Sequence, residues 1–306
     1  MHCRGPTPLE LIPRGAPTRM SDSLPLVRDV AVLGLGLMGQ ASVVRLQQVG
    51  FNVAAWNRTP RDDLPRELSL ESDLETACSA PIIVFLLSDS TAVDEMLSTI
   101  EPFLRRGQIV VDMGSSEPWR SERHAARLAA REIGWVDAPV SGGPEGAKQG
   151  ELATMVGGDA THVARVEPIL NALDSNVTHV GGPSAGHTTK LVNQTMVGVL
   201  IEAVAEGLAL AERAGLDPIL VAEAVRGGSA DTRPLRAQGP RMIARDYTPS
   251  AHVKTMLKDL RMAAELGDRL GVELPCVERV IELAEVLVQQ GHGELDISAL
   301  HRLRTD

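Results

Sequence analysis

Apolar residues in the first half of the chain follow two alternating patterns. Short uninterrupted apolar runs are typical of strands buried on both faces of a parallel sheet. One such run occupies 82–87, and three shorter, largely apolar runs occupy 29–33, 52–56 and 109–113. The segments between and after them repeat their apolar positions with helical spacing, at 41–50, 91–104 and 118–133. The alternation predicts an α/β fold with a doubly wound sheet of the Rossmann type.

The second half has a different pattern. After a strand-like segment at 176–180, helical spacing runs from Ala185 to about Ala214, where Gly215 suits a helix end. A helix of that length spans about 45 Å, which suits a spine connecting two domains. Further helices without intervening strands are predicted at 218–226, 234–245, 250–270 and 275–290. We therefore expect a Rossmann domain over 29–184 and an all-α domain over 185–306.

Residues 1–28 are rich in proline and arginine and contain no apolar block of signal-peptide length. This composition predicts a disordered tail, with Met20 as an alternative start. No later segment has the uncharged length of a membrane span, so no membrane partner is expected.

Composition limits the class of function. The 306 residues carry a formal net charge of −10 and include only three Phe, three Trp and one Tyr. Nucleic-acid-binding proteins usually present a basic surface and stacking aromatic rings, so a nucleic-acid partner is not expected. The three cysteines are unclustered and odd in number, which fits a reducing compartment such as the cytoplasm. Histidine spacing gives no metal motif.

The sequence GLGLMG at 34–39 follows the first predicted strand and opens the first predicted helix. In that context the spacing G-x-G-x-x-G predicts a dinucleotide site. Gly34 allows the tight turn, Gly36 lets the backbone approach a pyrophosphate, and Gly39 lets helix and strand pack closely. The intervening residues are expected to line the same site: Leu35, Leu37 and Met38.

The end of the second predicted strand distinguishes the two nicotinamide cofactors. An NAD site usually has Asp or Glu there, whereas this chain has Asn57, Arg58 and Thr59. Because a guanidinium can pair with a 2′-phosphate, we predict NADP, with NAD also possible. The alternative is that Arg58 is a solvated loop charge.

Ligands in such sheets bind where the strands end. The residues after the third and fourth predicted strands are therefore expected to line the cofactor cleft. They are Leu86, Leu87, Ser88, Gly114, Ser115 and Ser116. For the hydroxyl groups, helix capping is an equal alternative.

Lys190 is a candidate proton-transfer group. It lies in the first turns of the long helix, with Asn193 and Gln194 on the same face. The positive end of the helix dipole should lower the pKa of Lys190, as proton transfer requires. A solvated structural lysine is the alternative. The pair Lys258 and Asp259 lies either on a solvated helix face or against a cofactor between the domains.

Four segments together resemble the β-hydroxyacid dehydrogenase family, a 6-phosphogluconate dehydrogenase-like group that includes 3-hydroxyisobutyrate dehydrogenases and several semialdehyde reductases. They are GLGLMG (34–39), DAPVSGGPEGAKQGELATMVGG (137–158), GPSAGHTTKLVNQ (182–194) and DYTPSAHVKTMLKDL (246–260). The resemblance extends from Asp29 to the C-terminus. Tyr247 and Ala251 stand where relatives often have phenylalanine, which suggests a roomier pocket.

The resemblance implies a role for each matching residue. Lys190 matches the catalytic lysine. Lys258 matches a lysine that contacts the cofactor, and Asp259 accompanies it. The residues implied to bind a small carboxylic acid are Ser141, Gly142, Gly143, Asn193 and Gln194. Family members form homodimers or homotetramers through the helical part.

The expected function is an NAD(P)-dependent oxidoreductase that interconverts a short β-hydroxy acid and its semialdehyde or keto form. Imine reductases and reductive aminases share the fold and a similar WNRT strand end, but generally lack the lysine and the PVSGG loop. A non-catalytic NADP-binding module is the other alternative. Arg233 and Arg236 either reach a second substrate charge or lie on the surface.

Overall fold

The computed structural model describes residues 28–59, 64, 68 and 70–305. Within them the chain forms an eight-stranded sheet in the order β2-β1-β3-β4-β5-β7-β6, with β8 paired to β7. The strands are β1 (Val30–Leu33), β2 (Val53–Trp56), β3 (Ile82–Phe85), β4 (Ile109–Asp112), β5 (Gly134–Asp137), β6 (Val140–Ser141), β7 (Leu152–Gly158) and β8 (Asp174–Gly181).

Strands β1 to β5 are mutually parallel, which confirms the predicted Rossmann-type sheet. All four residues of β1 are fully buried, because helices cover both faces. Val30 and Val32 join the core on one face, while Ala31 and Leu33 join the core on the other. The chain order reverses beside β1, so the end of this strand faces the crevice where ligands of such sheets bind.

The helices of the described residues alternate with the strands and then continue alone. Those of the first part are α1 (Leu37–Gln48), α2 (Leu74–Ala77), α3 (Ser90–Ile100), α4 (Pro118–Ala129), α5 (Gly143–Gln149) and α6 (Ala160–Leu173). Those of the second part are α7 (Ala185–Arg213), α8 (Pro218–Ala224), α9 (Arg233–Ala244), α10 (Val253–Leu270), α11 (Pro275–Gln289) and α12 (Arg302–Thr305). Short 3-10 turns occupy Glu101–Phe103 and Ile297–His301.

Helix α7 is the predicted long helix, with 29 residues. It contacts β7 of the sheet and packs against α9, α10 and α11. Among the described helices it alone is long and apolar enough to cross a membrane, a possibility that the sequence analysis did not anticipate. In this fold 44% of that apolar window is buried. Ile201, Ala205 and Leu208 lie in the core of the helical part.

Several boundaries differ from the sequence prediction, and helix α6 was not predicted. The stretch 137–158, for which no helix or strand was predicted, contains β6, α5 and β7. Pro144 lies in the first turn of α5 and Gly150 ends it with φ 71°, so proline and glycine here delimit a short helix. Arg28, placed in the predicted tail, donates a hydrogen bond to Asn52 and pairs with Glu71. Residues 1–27 of that tail lie outside the described residues.

Candidate functional site

The first glycine turn (34–39) connects β1 to α1. Gly34 has φ 103°, and a Cβ there would lie 2.5 Å from the Leu86 carbonyl oxygen. A Cβ on Gly39 would lie 2.0 Å from the Gly34 carbonyl oxygen, whereas one on Gly36 would meet nothing within 4 Å. Gly34 and Gly39 therefore allow the close packing. Gly36 leaves open space at the N-terminus of α1, which fits the pyrophosphate of a dinucleotide.

The end of β2 lies beside this turn. The Asn57 side chain accepts a hydrogen bond from the Leu35 N–H at 2.9 Å and donates one to the Thr59 carbonyl at 2.7 Å. Arg58 pairs with Glu95 of α3 at 3.0 Å, and their side chains are 71% and 58% exposed. Asn57 thus holds the turn, and the Arg58 guanidinium lies in solvent near the end of the strand.

Lys258 of α10 connects the helical part to the ends of β3 and β4. Its Nζ donates hydrogen bonds to the Ser88 carbonyl at 2.9 Å and the Ser115 carbonyl at 3.3 Å. The Ser88 hydroxyl donates to Asp89, the N-cap of α3, and the Ser116 hydroxyl donates to Asp112. The structure therefore brings Lys258 to the strand ends predicted to line the cofactor cleft.

Lys190 is buried in the first turns of α7, with 7% of its surface exposed. Its Nζ donates a hydrogen bond of 2.7 Å to the carbonyl of Val140, the residue directly before Ser141. Burial lowers the pKa of Lys190, while the nearby Asp259 carboxylate opposes this and Lys258 adds to it. The direction agrees with the expectation from the helix dipole, and desolvation by burial is its largest cause.

The second glycine turn (141–143) lies between β6 and α5. Gly142 has φ 131° and Gly143 has φ 70°, conformations that side chains with a Cβ rarely adopt. A Cβ on Gly143 would meet nothing within 4 Å, whereas one on Gly142 would touch Leu152 at 3.1 Å. The turn therefore has open space beside Gly143, and Val140, which accepts the hydrogen bond from Lys190, directly precedes the turn.

Asn193, Gln194 and Asp259 form a chain of hydrogen bonds. The Asn193 amide donates to Gln194 at 2.9 Å, and the Gln194 amide donates to Asp259 at 2.7 Å. Gln194 is 7% exposed and Asp259 is 2% exposed. The Asp259 carboxylate also lies 3.3 Å from the Lys258 Nζ. Gln194 therefore holds the Asn193 amide, and Asp259 lies between Gln194 and Lys258.

Three fully buried polar residues near the site were given no role in the sequence analysis: Asp112, Asp137 and His187. Asp112 and Asp137 are register partners at the ends of β4 and β5. The His187 Nε2 lies 3.5 Å from Asp112, and its backbone N–H donates to Asp137. The sequence did carry a signal for this cluster, because an acidic residue ends each of the two apolar segments that form β4 and β5.

Comparisons with known proteins agree with the fold. The family model described as the NAD binding domain of 6-phosphogluconate dehydrogenase matches residues 29–181. The model described as the NAD-binding domain of NADP-dependent 3-hydroxyisobutyrate dehydrogenase matches residues 184–304. The chain is also 35% identical over 274 residues to 2-hydroxy-3-oxopropionate reductase of Escherichia coli K12, covering 88% of this chain and 94% of that protein.

The chain belongs to the β-hydroxyacid dehydrogenase family. Like its relatives, this β-hydroxyacid dehydrogenase is an NAD(P)-dependent enzyme that acts on a small molecule. A crystal structure of 3-hydroxyisobutyrate dehydrogenase from Salmonella typhimurium has a TM-score of 0.77 and 26% identity, covering 90% of this chain and 99% of that one.

The fold is shared more widely than the family. An imine reductase from Pseudomonas sp. has a TM-score of 0.56 and 24% identity, covering 89% of this chain and 98% of that one. That likeness concerns the fold alone. Among the residues that the structure describes, no group of three or more His, Cys, Asp or Glu is placed to hold a metal ion.

Proposed function

We propose that this β-hydroxyacid dehydrogenase interconverts a short β-hydroxy acid and its semialdehyde or keto form, with Lys190 as the general acid and base and NADP as the preferred cofactor. One observation carries the proposal. The buried Nζ of Lys190 lies 2.7 Å from the carbonyl of Val140, directly before the second glycine turn. A proton-transfer group and a turn suited to an anion thus lie side by side.

The second glycine turn suits a carboxylate. Its positive-φ backbone at Gly142 and Gly143 can direct N–H groups toward an anion, and Ser141 adds a hydroxyl donor. Open space beside Gly143 leaves room for the ligand. With the carboxylate held there, a short acid would present its β-carbon oxygen to Lys190, and Asn193 would hold the substrate on the same helix face.

Lys190 would move the proton. In the reducing direction the protonated amine donates to the carbonyl oxygen, and in oxidation the neutral amine removes the hydroxyl proton. Burial lowers the pKa of Lys190, so both forms become accessible closer to neutral pH than for an ordinary lysine. The bound nicotinamide cofactor supplies the hydride chemistry.

The preference for NADP rests on the end of β2. Asn57 occupies the position where NAD sites carry a carboxylate, and its side chain is engaged with Leu35 and Thr59. Arg58 would pair with the 2′-phosphate after leaving Glu95. An exposed ion pair of this kind contributes about 1 kcal/mol or less, so its loss costs little.

The proposed cofactor contacts also include the backbone of the first glycine turn, Leu86 to Ser88, the Ser115 to Ser116 segment, and Lys258. We extend the proposal to a Rossmann domain over 29–184, a helical domain over 185–306, a cytoplasmic location and a homodimer or homotetramer. Arg236 pairs with Asp231 at 3.2 Å and is 63% exposed, which favours a surface role for it.

A spectrophotometric NADPH-oxidation screen tests the proposal. The substrates are glyoxylate, tartronate semialdehyde, succinic semialdehyde and methylmalonate semialdehyde, with cyclic imines in parallel. We expect turnover of at least one semialdehyde or keto acid, and no turnover of its uncharged methyl ester. Turnover of imines alone would reject the proposal in favour of an imine reductase, and cofactor binding without any turnover would favour a non-catalytic module.

A further inference from the structure

The N-terminus of α7 is capped by a residue from a distant strand. Ser184, the N-cap, makes no side-chain cap and has φ 78°, an unusual conformation for a residue with a Cβ. The carboxylate of Asp137 takes the place of that cap. Its two oxygens accept the backbone N–H of Ser184 at 2.8 Å and that of His187 at 2.9 Å.

Two glycines make this contact possible. A Cβ on Gly157 would lie 2.7 Å from both carboxylate oxygens of Asp137. A Cβ on Gly186 would lie 2.5 Å from the Asp137 carbonyl oxygen and 2.4 Å from that of Met155. The first turn of α7 therefore lies against the backbones of β5 and β7, with no space for a side chain between them.

The same two segments meet again three residues later. Asp137 holds His187, and Val140 accepts the hydrogen bond from Lys190. The first contact residue advances by three from the end of β5 to the start of β6, and the second advances by three along α7. The carboxylate of Asp137 thus fixes the register between the segment that carries Lys190 and the segment that carries Ser141.

We propose that Asp137 is a positioning residue that sets the location of the Lys190 Nζ relative to the second glycine turn. The inference rests on the proposed role of Lys190 as general acid and base. A buried carboxylate with two charge-assisted backbone bonds holds a helix end more rigidly than an exposed cap would. Proton transfer is sensitive to displacement of the donor by about 1 Å, which can cost about a hundredfold in rate.

The surroundings of Asp137 support a positional role. His187 fills the space between Asp137 and Asp112, with its ring nitrogens 4.0 Å and 3.5 Å from their carboxylates. Asp112 in turn accepts hydrogen bonds from the Gly114 N–H and the Ser116 hydroxyl. The cluster therefore connects the start of α7 with the segment after β4 and is fully buried, away from any direct contact with solvent.

The variant Asp137→Asn tests the inference, because it keeps the shape of the side chain and replaces one acceptor oxygen with an amide. We expect kcat to fall about tenfold to a hundredfold, since Lys190 loses its fixed position. The Kd for NADPH, measured by fluorescence, should not change. In the cofactor-free protein, amide hydrogen exchange at Ser184 and His187 should become faster.

Asp159→Ala is the matched control. It removes the side-chain cap of α6, where Asp159 accepts the Thr161 N–H, and lies outside the proposed site. It should lower Tm by a few degrees, as loss of a helix cap does, and leave kcat unchanged. If Asp137→Asn gives no folded protein, Asp137→Ser takes its place, since it removes the charge without placing an amide donor against the backbone N–H groups.

A double-mutant cycle separates this inference from the function on which it rests. If Asp137 acts through Lys190, then Asp137→Asn should have no further effect on the residual rate of Lys190→Ala. An equal loss in both backgrounds would overturn the inference, as would an unchanged kcat or failure of both Asp137 variants to fold. Full activity of Lys190→Ala alone would instead reject the role of Lys190.

Discussion

The two glycine turns of this protein acquire their shape and position in different ways. The first turn (34–39) obtains its shape locally, because Gly34 and Gly39 pack against each other and against the end of β3. The second turn (141–143) has open space at Gly143, and its position relative to Lys190 depends on α7, about 50 residues further along the chain. A local turn can be recognised from spacing alone, whereas a turn completed by a distant helix cannot.

Lys190→Ala should give the largest effect and tests the second turn. Removal of a general acid–base group should lower kcat by about 10²–10⁴-fold. Steady-state rates with the substrate found in the screen measure this. Lys254→Ala is the matched control, because Lys254 is an exposed lysine of α10 that pairs with Glu294. A kcat of Lys190→Ala close to that of the control would exclude Lys190 from proton transfer.

Gly36→Ala tests the first turn. A Cβ there meets no protein atom within 4 Å and the residue has φ −65°, so Tm should not change. The added methyl group would instead occupy the space proposed for the pyrophosphate. Loss of a hydrogen bond to that charged group should raise the Kd for NADPH about tenfold to a hundredfold.

Gly207→Ala is the matched control for that substitution, since it adds a methyl group in open space on α7. It should leave the Kd for NADPH unaltered. A lowered Tm in Gly36→Ala without any change in Kd would place the pyrophosphate elsewhere. Gly39→Ala should differ from both, because the 2.0 Å contact with the Gly34 carbonyl oxygen would disrupt the turn itself.

Arg58→Ala tests the preference for NADP that is assigned to the end of β2, beside the first turn. Loss of one exposed ion pair should raise the KM for NADPH by up to about fivefold and leave the KM for NADH unaltered. Glu95→Gln should act in the opposite direction, since it frees Arg58 from its ion pair. A wild-type enzyme that prefers NADH would contradict the NADP assignment directly.

The pH dependence of the wild-type enzyme tests the environment of Lys190 without any substitution. Because burial lowers the pKa of Lys190, its titration should lie below the ordinary lysine value of 10.5. Reduction needs the protonated amine, so kcat/KM for reduction should fall as pH rises through that pKa. Oxidation needs the neutral amine, so its kcat/KM should rise over the same interval. Parallel profiles in the two directions would contradict the assignment.

Much of the fold could be predicted because its causes are local. Short apolar runs marked β1 to β4, and helical spacing marked α7 to within one residue of its observed end. No helix or strand was predicted within 137–158, because glycine and proline disfavour both. They instead delimit α5 and allow close packing at Gly157. Composition shows where glycine occurs but not which neighbour approaches it.

The sequence by itself determined strands β1 to β4, the first glycine turn and the long helix that carries Lys190. Those features follow from residue type and spacing over a few turns of chain. Only the tertiary structure decided that Lys190 is buried, that Val140 accepts its hydrogen bond and that Asp137 caps its helix. These contacts join residues about 50 positions apart, and burial and helix register arise only when the sheet and α7 pack together.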